Sequence, residues 1–150
     1  MDLLDFHFSY RPYTILDESG EGLREVGLPM LPCTLISDNN KERTADGLLD
    51  SGSNGVVMPM RMAKMLGLKL EKADPISVVG ARTARYKSKV SIILGRGGRL
   101  CEPIADVEVS VIENDESPLI LGRNPIFRLY RITFIEAEQR FEMIPYRPVR

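Results

Sequence analysis

The sequence predicts an all-β fold with one or two short helices, and three observations lead there. Apolar and polar residues alternate along short runs, most clearly from Tyr86 to Leu94 and from Ala105 to Val111, the period of a half-buried strand. The runs are parted by turn chemistry, DNNK at 38–41, GRGG at 95–98 and EAEQ at 136–139, rather than by long helical repeats. At 150 residues and 43% hydrophobic, the chain can bury one core of its own.

Residues 1–27 read as an N-terminal leader of unknown role, because Arg11-Pro12 and Gly20-Glu21-Gly22 interrupt any periodicity. Residues 28–150 form the domain. Leu28 to Ser37 and Arg43 to Asp50 flank the polar turn at 38–41 and make a hairpin. Pro59 opens a helix from Met60 to Leu66 and Gly67 closes it, a position that favours the left-handed backbone. Met58, Met60, Met62 and Met65 read as core filler. Ile76 to Gly80 is a short strand. Tyr86, Ser88, Val90, Ile92 and Leu94 share one face of the next, and Ala105, Val107, Val109 and Val111 point inward on its return. Leu119 to Leu121 is a brief buried strand ending at Gly122. Asn124-Pro125 starts a helix that runs to about Tyr130, and Arg131 to Ile135 pairs with Arg140 to Ile144 in a closing hairpin.

Composition narrows the function classes. A net charge of −1 supplies no global attraction to nucleic acid or anionic membrane, and no apolar stretch reaches the ~20 residues of a membrane helix. The acidic start lacks a signal-peptide core. Cys33 and Cys101 stand far apart without a CxxC pair, and His7 is the single histidine. No metal site or other cofactor is expected, and the thiols read as reduced packing residues of a cytoplasmic protein. Arg82, Arg85, Lys87, Lys89, Arg96 and Arg99 form a basic run, and Glu102, Asp106, Glu108, Glu113, Asp115 and Glu116 an acidic one. Attraction across adjacent antiparallel strands explains both better than a nucleic-acid surface does.

One stretch carries chemistry. Leu48-Leu49 runs into Asp50, followed by Ser51, Gly52, Ser53, Asn54 and Gly55. A calcium loop fails because its closing ligand position falls on Arg61. An ordinary turn remains open, since an Asp-[Ser/Thr]-Gly triplet arises by chance in about one in sixteen chains of this length. The context points further: two apolar residues precede the triplet, a strand follows it, and Leu119-Ile120-Leu121-Gly122 opens a helical segment far downstream.

Asp50-Ser51-Gly52 after Leu48-Leu49, with Leu119 to Asn124 downstream, resembles the retropepsin-like aspartic proteases, the family of retroviral proteases and their prokaryotic relatives. The likeness spans roughly Leu28 to Pro145. It implies a closed β-barrel or sandwich, homodimeric, that hydrolyses peptides or proteins. Asp50 would be the catalytic acid. One triplet per chain supplies one carboxylate, so a C2 homodimer would supply the second. Carboxylates about 3 Å apart cannot both ionise, and the pair would keep one proton. The charged member would then draw a proton from water while its mate donates to the scissile carbonyl. The resemblance gives Ser51 a hydroxyl that locks the two loops together and Gly52 a backbone free to approach. Leu121, Gly122 and Arg123 would support the site from behind. Gly80, Ala81 and Arg82 at the tip of a flap hairpin, with Ser53 and Asn54, would line the substrate. In retroviral members an aspartate four residues after the catalytic one pairs with the helix arginine. Asn54 stands there, leaving Arg123 without a charged partner. The alternative implied by such departures is a catalytically inert module of the same fold that binds peptides or dimerises.

Overall fold

The computed structural model describes residues 6–16, 18–78, 81–95 and 103–146. Twelve strands are present among them: β1 (Phe6–Ser9), β2 (Arg11–Leu16), β3 (Leu23–Leu28), β4 (Met30–Ile36), β5 (Glu42–Leu49), β6 (Val56–Pro59), β7 (Glu71–Val78), β8 (Ala81–Leu94), β9 (Ile104–Ile112), β10 (Leu119–Leu121), β11 (Tyr130–Ile135) and β12 (Arg140–Pro145). Helix α1 spans Met60–Met65, and an irregular helical turn spans Arg123–Phe127.

Six strands close a barrel. Their order is β4-β5-β10-β6-β9-β8, and β8 pairs back onto β4, with Leu35 opposite Ile92. Closure removes the free edges that an open sheet would expose. Inside lie Leu31, Leu35, Leu49, Met58, Ile92, Val109, Val111 and Leu121, all essentially buried. Two pairings are parallel, β5 with β10 and β6 with β9. The first decides the site, because it brings the ends of two strands distant in sequence to the same place. The β4–β5 hairpin turns through Asn40, whose φ is 62°, a left-handed value that asparagine tolerates.

Several expectations are corrected in detail. Ala105 is exposed rather than inward. Asp106 adopts φ 53° and the β8–β9 register slips between Val90 and Ile92, so this bulge inverts the alternation before Val107. Pro59 ends β6 and caps α1 in extended geometry (φ −67°, ψ 147°), opening the helix as expected, and α1 ends at Met65 with Leu66 as its cap. Gly67 follows with φ 64° and donates its N–H to Lys64 C=O. The amide of Arg61 in the first turn of α1 donates to Asp115 Oδ1 at 3.0 Å, a distant carboxylate meeting an otherwise unpaired donor. Met58 is fully buried and Met60 and Met62 pack on the core, but Met65 is 45% exposed. Asn124 is extended (φ −111°, ψ 119°), the backbone of a residue that precedes a helical turn, but the turn ends at Phe127 and Tyr130 already belongs to β11.

The leader is drawn into sheet. β1 pairs antiparallel with β12, and β12 with β11. Phe8 stacks on the buried Phe141 at 5.2 Å between ring centroids, and His7 Nδ1 lies 3.3 Å from Glu142 Oε1. β2 and β3 pair as a separate two-stranded arm, tied at its base by Arg11 to Asp46 at 3.1 Å. The opposed charge runs face each other across β8–β9, where Lys89 sits opposite Glu108 and Lys87 Nζ lies 3.8 Å from Glu108 Oε1. Arg96, Arg99, Glu102 and Cys101 lie outside the described residues.

Candidate active site

The Asp50 loop grows out of the parallel pairing. Leu48 and Leu49 of β5 lie beside Ile120 and Leu121 of β10. The Asp50 N–H continues the ladder by donating to Leu121 C=O at 3.1 Å. The chain then turns: Ser53 N–H donates to Asp50 C=O at 3.1 Å, and Gly52 N–H donates to Asp50 Oδ1 at 2.8 Å. Aspartate commonly bonds its own backbone two residues on, and here that bond holds the carboxylate of a half-buried residue in one orientation. Oδ1 thus accepts from the loop, and Oδ2 has no hydrogen-bond partner among the described residues. Ser51 and Gly52 are exposed, so a single chain presents this carboxylate at its surface instead of inside a cleft.

Behind the loop the two segments are stitched together. Arg123 N–H donates to Ser53 C=O and Asn124 N–H to Asn54 C=O, both at 2.9 Å. Gly122 lies between these contacts, buried. A Cβ at that position would sit 2.3 Å from Gly55 O, 2.6 Å from Ser53 O and 2.9 Å from Gly55 N. Its φ of −94° is ordinary, so the close approach of backbones, not conformational strain, demands glycine. Gly47 answers a similar need one layer below, where a Cβ would meet the Leu121 side chain at 2.6 Å.

Ser53 has its amide, carbonyl and hydroxyl all engaged, the hydroxyl donating to Gly55 C=O at 2.9 Å. Asn54 Oδ1 accepts from the Arg123 guanidinium, a hydrogen bond from a cation to a neutral amide in place of an ion pair. These two side chains therefore brace the loop. The hairpin in the expected flap place is β7–β8, paired up to Val78 opposite Ala81. Gly80 lies outside the described residues, and Arg82 is exposed opposite Ser77. Arg85 on the same strand donates from Nε to Asp74 C=O at 2.8 Å. Tyr86 Oη donates to Glu113 Oε1 at 3.2 Å, and that carboxylate pushes the phenol's pKa up.

Sequence reasoning missed one feature beside the loop. Asn54, Arg123, Asn124, Phe127 and Arg128 line a cleft of about 540 Å³. A second hollow, of about 500 Å³ under β7 and β8, is lined among others by Ser37, Leu68, Leu70 and Lys89, and Asp50 lines neither of the two. Two cationic residues five apart were visible in the sequence, but nothing there placed them beside residue 54.

A family model described as aspartyl protease matches residues 32–124. No curated protein sequence matches the chain. Among solved structures, a retropepsin-like aspartic protease from Rickettsia conorii superposes with a TM-score of 0.61 at 11% identity, covering 94% of this chain and 99% of that one. That share exceeds what residues 28–150 make up, so part of the leader has a counterpart there. An EIAV protease in complex with an inhibitor gives 0.53 at 21% identity, covering 68% and 88%. The retroviral protease-like domain of Ddi1 from Leishmania major gives 0.53 at 18%, covering 82% and 96%. Identities this low establish a shared fold.

Proposed function

Since this chain belongs to the aspartyl protease family, we propose that it is an aspartic endopeptidase acting as a homodimer. A water held between Asp50 and its symmetry mate attacks the scissile carbonyl of a peptide or protein. The observation that carries this reading is the orientation of Asp50: Gly52 N–H fixes Oδ1 while Oδ2 stays open on an exposed loop. In this reading the surface carboxylate is half of an acid pair whose other half comes from the two-fold axis. The exposed Ser51 hydroxyl is then the lock between the two loops. Close carboxylates share one proton, so one serves as base while the other donates. The β7–β8 hairpin covers the substrate, with Ala81 and Arg82 on its second strand.

The test is hydrolysis of unfolded peptides by wild type and Asp50→Asn across a pH series. Wild type should give a bell-shaped profile centred on the acid side, as a coupled pair does, and Asp50→Asn should give none. Mixing wild type with excess Asp50→Asn after subunit exchange should depress activity beyond simple dilution, because a mixed pair cannot share the proton. Equal cleavage by both proteins, or full activity in the exchanged mixture, refutes the shared site. Absence of hydrolysis in dimeric wild type, together with weak binding of a statine-type mimic, identifies an inert peptide-binding module instead.

A further inference from the structure

The ladder of the β7–β8 hairpin is broken at one place. Ala73 pairs with Arg85 and Ile76 with Thr83, so Asp74 and Pro75 together oppose Ala84 alone. Such a bulge leaves backbone groups unpaired and bends its strand. Pro75 has no N–H to offer, and the Asp74 carbonyl is taken by a side chain: Arg85 Nε donates to it at 2.8 Å. The same guanidinium donates from Nη1 to Ser110 Oγ at 3.4 Å. Ser110 belongs to β9, which lies on the far side of β8 from β7. One side chain on the middle strand therefore ties the bulge to the barrel wall.

Support from the barrel ends at the same level. The β8–β9 pairing starts at Arg85 opposite Ile112, and β7 pairs with β8 alone among the described residues. Beyond the bulge the described pairs are Ile76 with Thr83, Ser77 with Arg82 and Val78 with Ala81. A two-stranded piece of this kind is marginal by itself in water, so its orientation is set where it leaves the barrel. Arg85 joins no ion pair among the described residues, and its charge strengthens the two bonds it gives to neutral acceptors. We propose that Arg85 is a positioning residue: it pins the Asp74-Pro75 bulge as a pivot and holds the free end of the hairpin in the orientation that receives substrate. This inference rests on the proteolytic reading, in which the hairpin covers the substrate, and gives control of that cover to one side chain.

Hydrogen exchange of the intact protein, read by mass spectrometry, tests the pivot without a substrate. Arg85→Gln should speed exchange across Ile76–Val78 and Ala81–Thr83 roughly tenfold while leaving β4 and β10 at wild-type rates. Arg85→Lys keeps a donor for the Asp74 carbonyl but loses the planar fork that also reaches Ser110, and it should fall between the two. Tyr86→Phe removes the neighbouring bond to Glu113, which does not touch the bulge, and should exchange like wild type. Peptide hydrolysis then tests the positioning. A hairpin less often in its receptive orientation weakens substrate binding in proportion, so Arg85→Gln should raise KM roughly fivefold with kcat within about twofold of wild type. Unchanged exchange beyond the bulge in Arg85→Gln, or an equal rise in Tyr86→Phe, overturns the pivot. Faster exchange with an unaltered KM in an active enzyme overturns the positioning role. If wild type cleaves nothing, the proteolytic reading falls by itself, and faster exchange confined to the hairpin end still establishes the pivot.

Discussion

Replacing Gly122 with alanine should open the seam on which the Asp50 loop rests. The new Cβ would lie 2.3 Å from Gly55 O and 2.6 Å from Ser53 O. The first contact is about 0.7 Å inside the roughly 3.0 Å that Cβ atoms approach in practice. All the nearest atoms are backbone, so no side-chain rotation relieves the clash. The two segments must separate, and overpacking of this kind costs about 1–3 kcal/mol. Separation also strains the Arg123–Ser53 and Asn124–Asn54 backbone bonds, each worth about 0.5–1.5 kcal/mol. Together these come to about 2–6 kcal/mol, against a total of about 5–15 for a typical domain. With an m-value of about 2 kcal/mol/M, the urea midpoint should fall by at least about 1 M. Gly55→Ala is the control on the same loop, because its Cβ would meet only Asn124 O at 3.6 Å, and it should stay within about 0.5 kcal/mol of wild type. Urea titration of the three proteins at one concentration decides the matter. A Gly122→Ala midpoint indistinguishable from that of Gly55→Ala would refute the close-approach argument.

Three further outcomes are expected. Burial, then the nearby Asp46 charge, pushes the Cys33 thiol up to about 12, so at pH 8 its thiolate is scarcer than a free thiol's by roughly a thousandfold. Iodoacetamide should leave Cys33 unmodified until urea unfolds the chain, as read by peptide mapping, and rapid native labelling would contradict its burial. Because the folded form holds this proton more tightly than the unfolded one, the stability it lends is full below about pH 9 and declines as pH rises toward 12. Phe8→Ala should cost about 1–3 kcal/mol by removing a half-buried ring from Phe141, and residues 28–150 alone should melt lower than the full chain. A wild-type melting temperature in both would show that β1 adds nothing. The hydrogen bond from Arg140 holds the Glu142 carboxyl below its usual range, aided by the His7 charge. Stability from Glu142 is therefore present above the unfolded carboxylate range and lost as pH falls through the folded value. Glu142→Gln should be less stable than wild type near pH 7 and equal to it near pH 2, and an unchanged difference between those two conditions would refute the linkage.

The sequence determined the pieces whose signal is local. Alternation from Tyr86 to Leu94 specified a strand with Val90, Ile92 and Leu94 inward, all three buried, because side chains two apart share a face whatever the rest of the chain does. The turn residues at 38–41 and 136–139 placed hairpins where the structure has them, and the Asp50-Ser51-Gly52 triplet with Leu119 to Gly122 pointed to the family that the comparison shows. The tertiary structure decided what depends on partners distant in sequence. Nothing within residues 1–27 says that β1 finds an open edge on β12, since pairing there is bought by Phe141 and Glu142 more than 130 positions away. The Asp106 bulge turned Ala105 outward because register is a property of two strands together. Parallel pairing of β5 with β10 made Gly122 indispensable, and it set Asn54 against Arg123 and both beside Arg128. Short-range pattern names an element and its faces. Which elements meet, and which charge is left without a counterpart when they do, follows only from closing the barrel.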